Sequence, residues 1–152
     1  MNIVNIDYGM SDKTYSIFLS GCKSKVKCEG CFNPESWDFN AGNSWLGSLK
    51  RIREDINLFK GIISKILIVG GEPLDQDLGC LQELINFLKA LSVPVCLFTH
   101  YSFDAVPGCI KDSCDYVKCG SYIPSLKCSD NVQYGIKLAT SNQKIYKKGI
   151  DY

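Results

Sequence analysis

The sequence predicts an α/β fold in which a mostly parallel sheet is wound with crossover helices, as a partial barrel or an open sheet. Three observations lead there. Two apolar stripes at helical spacing fall at Leu46, Leu49, Ile52, Ile56, Phe59 and Ile63, and at Leu78, Leu81, Leu84, Ile85, Leu88 and Leu91. Short branched apolar runs, 65–69 and 93–99, alternate with those stripes, and such runs mark strands buried on both faces. The 152 residues fall short of the roughly 250 of a complete eightfold barrel.

Taken in order, residues 2–8 and 14–20 alternate and predict two strands, the second ending at Gly21. Residues 21–47 are rich in Gly, Asn, Lys and Cys and predict a loop, long enough within a small domain to be functional or disordered. A helix over 46–63 leads to a strand at 65–69 that stops at Gly70-Gly71. A second helix carries the 78–91 stripe, and Pro94 suits the start of the next strand. A short helix or turn over about 103–113, a strand at 116–119, and later strands at 133–139 and 143–147 complete the chain. With no repeat, linker or low-complexity tract, residues 1–152 predict one domain. In parallel sheets ligands gather at the carboxyl ends of strands. Gly21-Cys22, Gly70-Gly71-Glu72 and Thr99-His100 all occupy such ends, so three segments are expected to meet on one rim.

Composition narrows the function. Seventeen basic residues against sixteen acidic ones leave a net charge of +1, without the basic excess of a nucleic-acid or anionic-membrane binder. No apolar run approaches the roughly 18 residues of a membrane span. The first residues carry Asp7 and Asp12 and lack a basic start followed by an apolar stretch, so the expectation is a cytoplasmic protein without a signal peptide. Nine cysteines, an odd number, suit reduced thiols or metal ligands better than a disulfide framework. The single histidine, His100, excludes HExxH and three-histidine zinc sites.

Residues 21–33 read GCKSKVKCEGCFN, with Cys22, Cys28 and Cys31 at C-x5-C-x2-C. Thiolates on a Gly-punctuated loop can wrap an iron–sulfur cluster. Three of them on a four-iron cube leave one iron open to an outside ligand. A zinc knot with a fourth cysteine from elsewhere, or unligated thiols, answers the same spacing. Lys23, Lys25 and Lys27 could ease the charge of bound thiolates or simply face solvent.

Residues 69–74, VGGEPL, end a buried strand. Two glycines allow close backbone approach to a ligand, and Pro73 fixes the exit. Glu72 offers an anionic acceptor to an ammonium group or to the loop's own amides, while Asp75 or Asp77 could cap the following helix.

Five stretches together, FLSGC (18–22), CEGCFNPESWDF (28–39), VGGEPLDQ (69–76), CDYVKCGSYI (114–123) and TSNQKIY (140–146), resemble the radical S-adenosylmethionine superfamily. Within it the chain is most similar to the activating proteins of anaerobic (class III) ribonucleotide reductase. The resemblance implies a partial (β/α) barrel of the radical S-adenosylmethionine type. It implies a 4Fe–4S cluster held by Cys22, Cys28 and Cys31, with S-adenosylmethionine on the fourth iron. Gly30 and Phe32 would lie along the adenosine, and Gly71 and Glu72 would shape the site for the methionine ammonium. Lys118 would approach the ligand carboxylate and Thr99 the ribose. The implied reaction is reductive cleavage of S-adenosylmethionine to a 5′-deoxyadenosyl radical, which makes a glycyl radical on the reductase large subunit. The electron would come from a donor such as flavodoxin or ferredoxin. The family usually spaces its first two cysteines C-x3-C; this chain has two more residues there, and lengthening a loop costs little entropy.

Two rival readings share parts of this evidence. One is a radical enzyme acting on a small molecule, similar to a deazapurine synthase, although the short chain leaves little material to close a substrate pocket. The other is a non-catalytic zinc-binding interaction domain. Phe32, Trp37, Phe39 and Trp45 could present an aromatic surface to a partner or cover the core. Cys80 and Cys96 are expected to pack as small hydrophobes, and Cys109, Cys114, Cys119 and Cys128 are spread at spacings that match no common metal site.

Overall fold

The computed structural model describes residues 1–24 and 27–152. The chain opens with an antiparallel pair, β1 (Asn2–Gly9) and β2 (Thr14–Leu19). A long connection then carries a 3-10 turn at Pro34–Ser36 and a two-residue strand, β3 (Asn43–Ser44), which pairs with β1. Helix α1 (Trp45–Leu58), β4 (Lys65–Gly70), α2 (Leu78–Lys89) and β5 (Val95–Phe98) follow, with α3 (Gly108–Ser113) and β6 (Tyr116–Cys119). A small hairpin, β7 (Val132–Gln133) and β8 (Ile136–Lys137), precedes β9 (Lys144–Lys147).

The strands form one seven-stranded sheet in the order β3-β1-β2-β4-β5-β6-β9, with the β7-β8 pair apart from it. Pairing is parallel from β2 through β4 and β5 to β6, and antiparallel on both flanks. The expected parallel sheet is therefore its centre, and among the described residues the whole is a mixed α/β sheet that ends at β3 and β9 rather than a closed barrel. Right-handed crossovers place successive helices on one side of a parallel sheet.

Strand alternation divides the two faces. Tyr15, Ile17, Leu19, Ile66, Ile68, Val95, Leu97 and Val117 pack with Ile52, Ile56, Leu81, Leu84, Ile85, Leu88 and Ile110 of the helices in the main core. On the other face Leu67, Cys96 and Ile145 of β9 pack under Ile136 and Leu138, with Val69, Phe98 and Tyr116 partly covered beside them. The C-terminal segment thus lies over part of the face that the helices leave bare.

Three expectations change. The strand expected over 133–139 is instead the β7-β8 hairpin, which turns at Tyr134-Gly135, both at positive φ. The first helix stops at Leu58, not Ile63, because the chain turns there and Gly61 takes φ +87°. Phe59 stacks on Tyr8 at 5.1 Å, and Ile63 is buried on the returning loop, so both keep the apolar spacing without helical backbone. Trp45 is 6% exposed and belongs to the core, which removes it from any aromatic surface; Leu46 takes the exposed position instead. Among the described residues no helix is long and apolar enough to cross a membrane.

Candidate functional site

The three expected strand ends meet. Gly71 N–H donates to Leu19 O at 2.9 Å and Glu72 N–H to Gly21 O at 2.8 Å, so the turn after β4 is bonded to the turn after β2. Gly21 N–H donates to Ser36 O at 2.7 Å and Cys22 N–H to Trp37 O at 3.2 Å, which docks the Asn33–Trp37 segment on the same point. The approach explains the glycines. A Cβ on Gly71 would lie 2.1 Å from Gly21 O and 2.8 Å from Ser36 O, and one on Gly21, at φ +97°, would enter the Phe39 ring.

Around this junction lies a cavity of about 320 Å³, lined among others by Cys22, Cys28, Cys31, Gly71, Glu72 and Lys118. Phe32, Thr99 and His100 also line it. Gly30 stands beside it, next to the Tyr122 ring. Nearly every residue expected at the site is therefore brought to one place.

The three thiols are free and half-buried. Burial, then the Cys31 and Cys22 thiols, push the Cys28 thiol above its usual range. Trp37 Nε1–H donates to Cys31 Sγ at 3.4 Å, and Cys31 N–H to Cys28 O at 3.1 Å. Lys27 folds back so that its ammonium donates to Cys22 O and sits 5.7 Å from the Trp37 ring centre. Lys23 is exposed, and Lys25 lies outside the described residues. Among the described residues no group of three or more cysteine, histidine or carboxylate side chains is placed to hold a single metal ion. The trio instead shares one cavity wall. Sulfur-only donors, an N–H···S bond and a neighbouring ammonium fit an iron–sulfur cluster.

Of the two roles offered for Glu72, the structure shows the one that serves the loops' own amides. Glu72 is 1% exposed. Oε1 accepts from Leu74 N–H at 3.0 Å and from the Thr99 hydroxyl at 2.7 Å. Oε2 accepts from His100 N–H at 2.8 Å and faces His100 Nδ1 at 2.8 Å. A carboxylate has about four acceptor positions, and this chain's own donors fill them. The carboxylate thus serves the loops, and the Thr99 hydroxyl is committed to Glu72. Its hydrogen bond to Glu72 raises the His100 pKa against the opposing effect of burial.

Lys118 is 7% exposed on the cavity wall. Burial lowers its pKa to about 8. Its ammonium donates to Gly120 O at 2.7 Å and lies 5.7 Å from the Phe98 ring centre. Gln143, from the TSNQKIY stretch, donates to the same carbonyl at 3.4 Å while its Oε1 accepts from the amides of Ala139 and Thr140. That stretch therefore clamps the end of β6 and brings Leu138 and Ala139 into the cavity lining.

Sequence reasoning missed several lining residues: Phe18, Phe98, Tyr122, Lys137, Leu138 and Gln143. Only the alternation of β2 and β5 foreshadowed any of them, by setting Phe18 and Phe98 on the face opposite the core residues. Asp77, not Asp75, caps α2, accepting from Cys80 N–H at 2.9 Å. Cys96 packs in the sheet as expected, whereas Cys80 is half-exposed. Cys109 is exposed on α3, Cys128 is half-buried, and Cys114 and Cys119 are buried in the main core.

Residues 9–144 match the model of a family described as a 4Fe-4S single cluster domain. Over 94 residues the chain is 32% identical to the anaerobic ribonucleoside-triphosphate reductase-activating protein of Enterobacteria phage T4. That match takes in 59% of this chain and 58% of the relative, so the chain spans less than two thirds of that protein's length. With strands β2 to β6 of the sheet and all three loop cysteines inside the matched residues, the chain belongs to the 4Fe-4S single cluster domain family.

Proposed function

We propose that this chain is a radical S-adenosylmethionine activase whose target is an anaerobic ribonucleoside-triphosphate reductase. The observation that carries the reading is the single cavity in which Cys22, Cys28 and Cys31 face the Gly71-Glu72 turn. Those cysteines would hold the 4Fe–4S cluster. Bound there, the cluster supplies the electron for reductive cleavage of S-adenosylmethionine.

The chain's own residues supply placement and shelter. The Gly71 turn is bonded to the Gly21 turn, which sets the cluster loop against a backbone shelf with no side chain in the way. The Lys118 ammonium, held on Gly120 O, is placed to meet a ligand carboxylate. Phe32, 66% exposed and edge-on to Tyr122 at 5.0 Å, stands at the cavity wall where an adenine could stack. Phe18, Val69 and Phe98 give the cavity an apolar lining.

The same geometry favours a macromolecular target over a small one. Ile136 and Leu138 cover part of the face opposite the helices, beside the cavity. A partner's glycine would enter from the rim, where Phe32, Trp37 and Phe39 are exposed. The T4 relative, an activating protein for such a reductase, supports the same target.

The test is anaerobic reconstitution with iron and sulfide, then dithionite and S-adenosylmethionine, with and without the reductase large subunit. Formation of 5′-deoxyadenosine and a glycyl radical signal by electron paramagnetic resonance are the expected results. A chain that takes up zinc and no iron–sulfur cluster under these conditions refutes the reading.

A further inference from the structure

The turn after β4 carries a second carboxylate to which the proposed reaction gives no task. Asp75 is 5% exposed, and among the described residues no basic side chain lies within ion-pair distance of it. A buried carboxylate is costly unless hydrogen bonds offset its lost hydration. Two do so here. Oδ2 accepts from the backbone N–H of Lys23 at 2.5 Å, and Oδ1 accepts from the Tyr101 hydroxyl at 2.9 Å. Helix capping does not explain the burial, because Asp77 performs it.

The two donors come from the segments that build the site. Lys23 directly follows Cys22, at the point where the chain leaves the β2 end for the cluster loop. Tyr101 follows His100, and the two rings lie 4.2 Å apart between centres. Tyr101 N–H also donates to Thr99 Oγ1 at 3.1 Å, so the hydroxyl that Asp75 receives comes from a strap already bonded to Glu72. Gly21 and Cys22 are fixed from one side by Ser36 and Trp37; Asp75 fixes the next amide from the other.

We propose that Asp75 is a positioning residue for the cluster loop: it fixes the backbone at Cys22-Lys23, and Tyr101 braces its carboxylate from the side of β5. This rests on the reading of Cys22 as a cluster ligand. Loosening the anchor displaces one of the three sulfurs relative to the other two, which changes the electronic signature of a bound cluster even where the cluster is retained.

The test uses the full chain as wild type, Asp75→Ala, Asp75→Asn and Tyr101→Phe. Amide hydrogen exchange at Lys23 is read by NMR in the metal-free protein, and the electron paramagnetic resonance spectrum is read in the reduced, reconstituted protein. Asp75→Ala is expected to speed Lys23 exchange about tenfold, the worth of one hydrogen bond, and to change the spectrum. Asp75→Asn keeps an acceptor for Lys23 and is expected to return its exchange to within about threefold of wild type. Tyr101→Phe is expected to speed Lys23 exchange while cluster content stays full. Exchange at Lys23 within about threefold of wild type in both Asp75→Ala and Tyr101→Phe overturns the proposal. If Asp75→Ala fails to fold, Tyr101→Phe decides alone. A wild-type chain that assembles no cluster refutes the functional reading instead, and Lys23 exchange in the metal-free chain still judges the anchor.

Discussion

Gly71→Ala is the sharpest test of how the site is built. The added methyl would sit 2.1 Å from Gly21 O, 2.6 Å from Gly21 C and 2.8 Å from Ser36 O, all of them backbone atoms. No side chain can swing aside, so the backbone must part. Overpacking of this kind costs about 1–3 kcal/mol. Parting also strains the bonds Glu72 N–H to Gly21 O and Gly21 N–H to Ser36 O, each worth about 0.5–1.5 kcal/mol. The expected loss is about 2–4 kcal/mol, a large share of the stability of a small domain. Guanidinium denaturation of the metal-free chain measures it without reference to any cofactor. Gly47→Ala is the control: it lies in α1 with nothing within 4 Å of a new Cβ, and is expected to stabilise by up to about 1 kcal/mol. If Gly71→Ala is as stable as wild type, the two turns do not meet as described and the cavity built on them is wrong.

Other expectations follow from the site's polar groups. His100 is the only histidine, so one set of NMR resonances reports it, and its titration midpoint is expected above the free value of about 6.5. Because the folded form holds its proton more tightly, the Glu72–His100 pair contributes its full stability below about pH 6.5 and loses it as pH rises through the folded pKa. His100→Gln should flatten that part of the stability profile, and an unchanged profile would contradict the pair. Lys118→Met removes a buried charge whose pKa is held near 8, and is expected to stabilise the metal-free chain by roughly 1–3 kcal/mol at pH 7. The same change should weaken S-adenosylmethionine binding with the cluster intact; unchanged affinity by calorimetry would remove Lys118 from the site. Trp37→Phe deletes the N–H···S bond to Cys31, and the reduction potential of a reconstituted cluster is expected to move to more negative values. A potential equal to wild type would show that bond to be inconsequential.

The parts of this fold that a linear reading captured are those governed by short-range periodicity. The 78–91 stripe became α2, which stops at Lys89 and leaves only Leu91 beyond it, and Ile66, Ile68, Val95 and Leu97 are buried as strand runs predict. The stripe from 46 to 63 misled because Phe59, partly buried, and Ile63, buried, are held against the core by turns that happen to continue a helical spacing. Residues whose roles depend on distant partners were hidden. Asp75 sits 52 residues from Lys23 and 26 from Tyr101, and no local pattern separates it from Asp77, the true helix cap. Glu72 was correctly placed at the rim, yet its saturation needed Thr99 and His100 to be seen beside it. Gln143 and Leu138 reach the cavity only because the chain returns along β6.

The bond between Glu72 N–H and Gly21 O joins two turns separated by fifty residues of intervening chain. Iron delivered to the nascent polypeptide before β4 has zipped onto β2 would meet three thiols on a tether with no platform behind them. A zinc finger collapses around its metal, whereas a cluster on Cys22, Cys28 and Cys31 would find its backing only once these two distant turns have been joined.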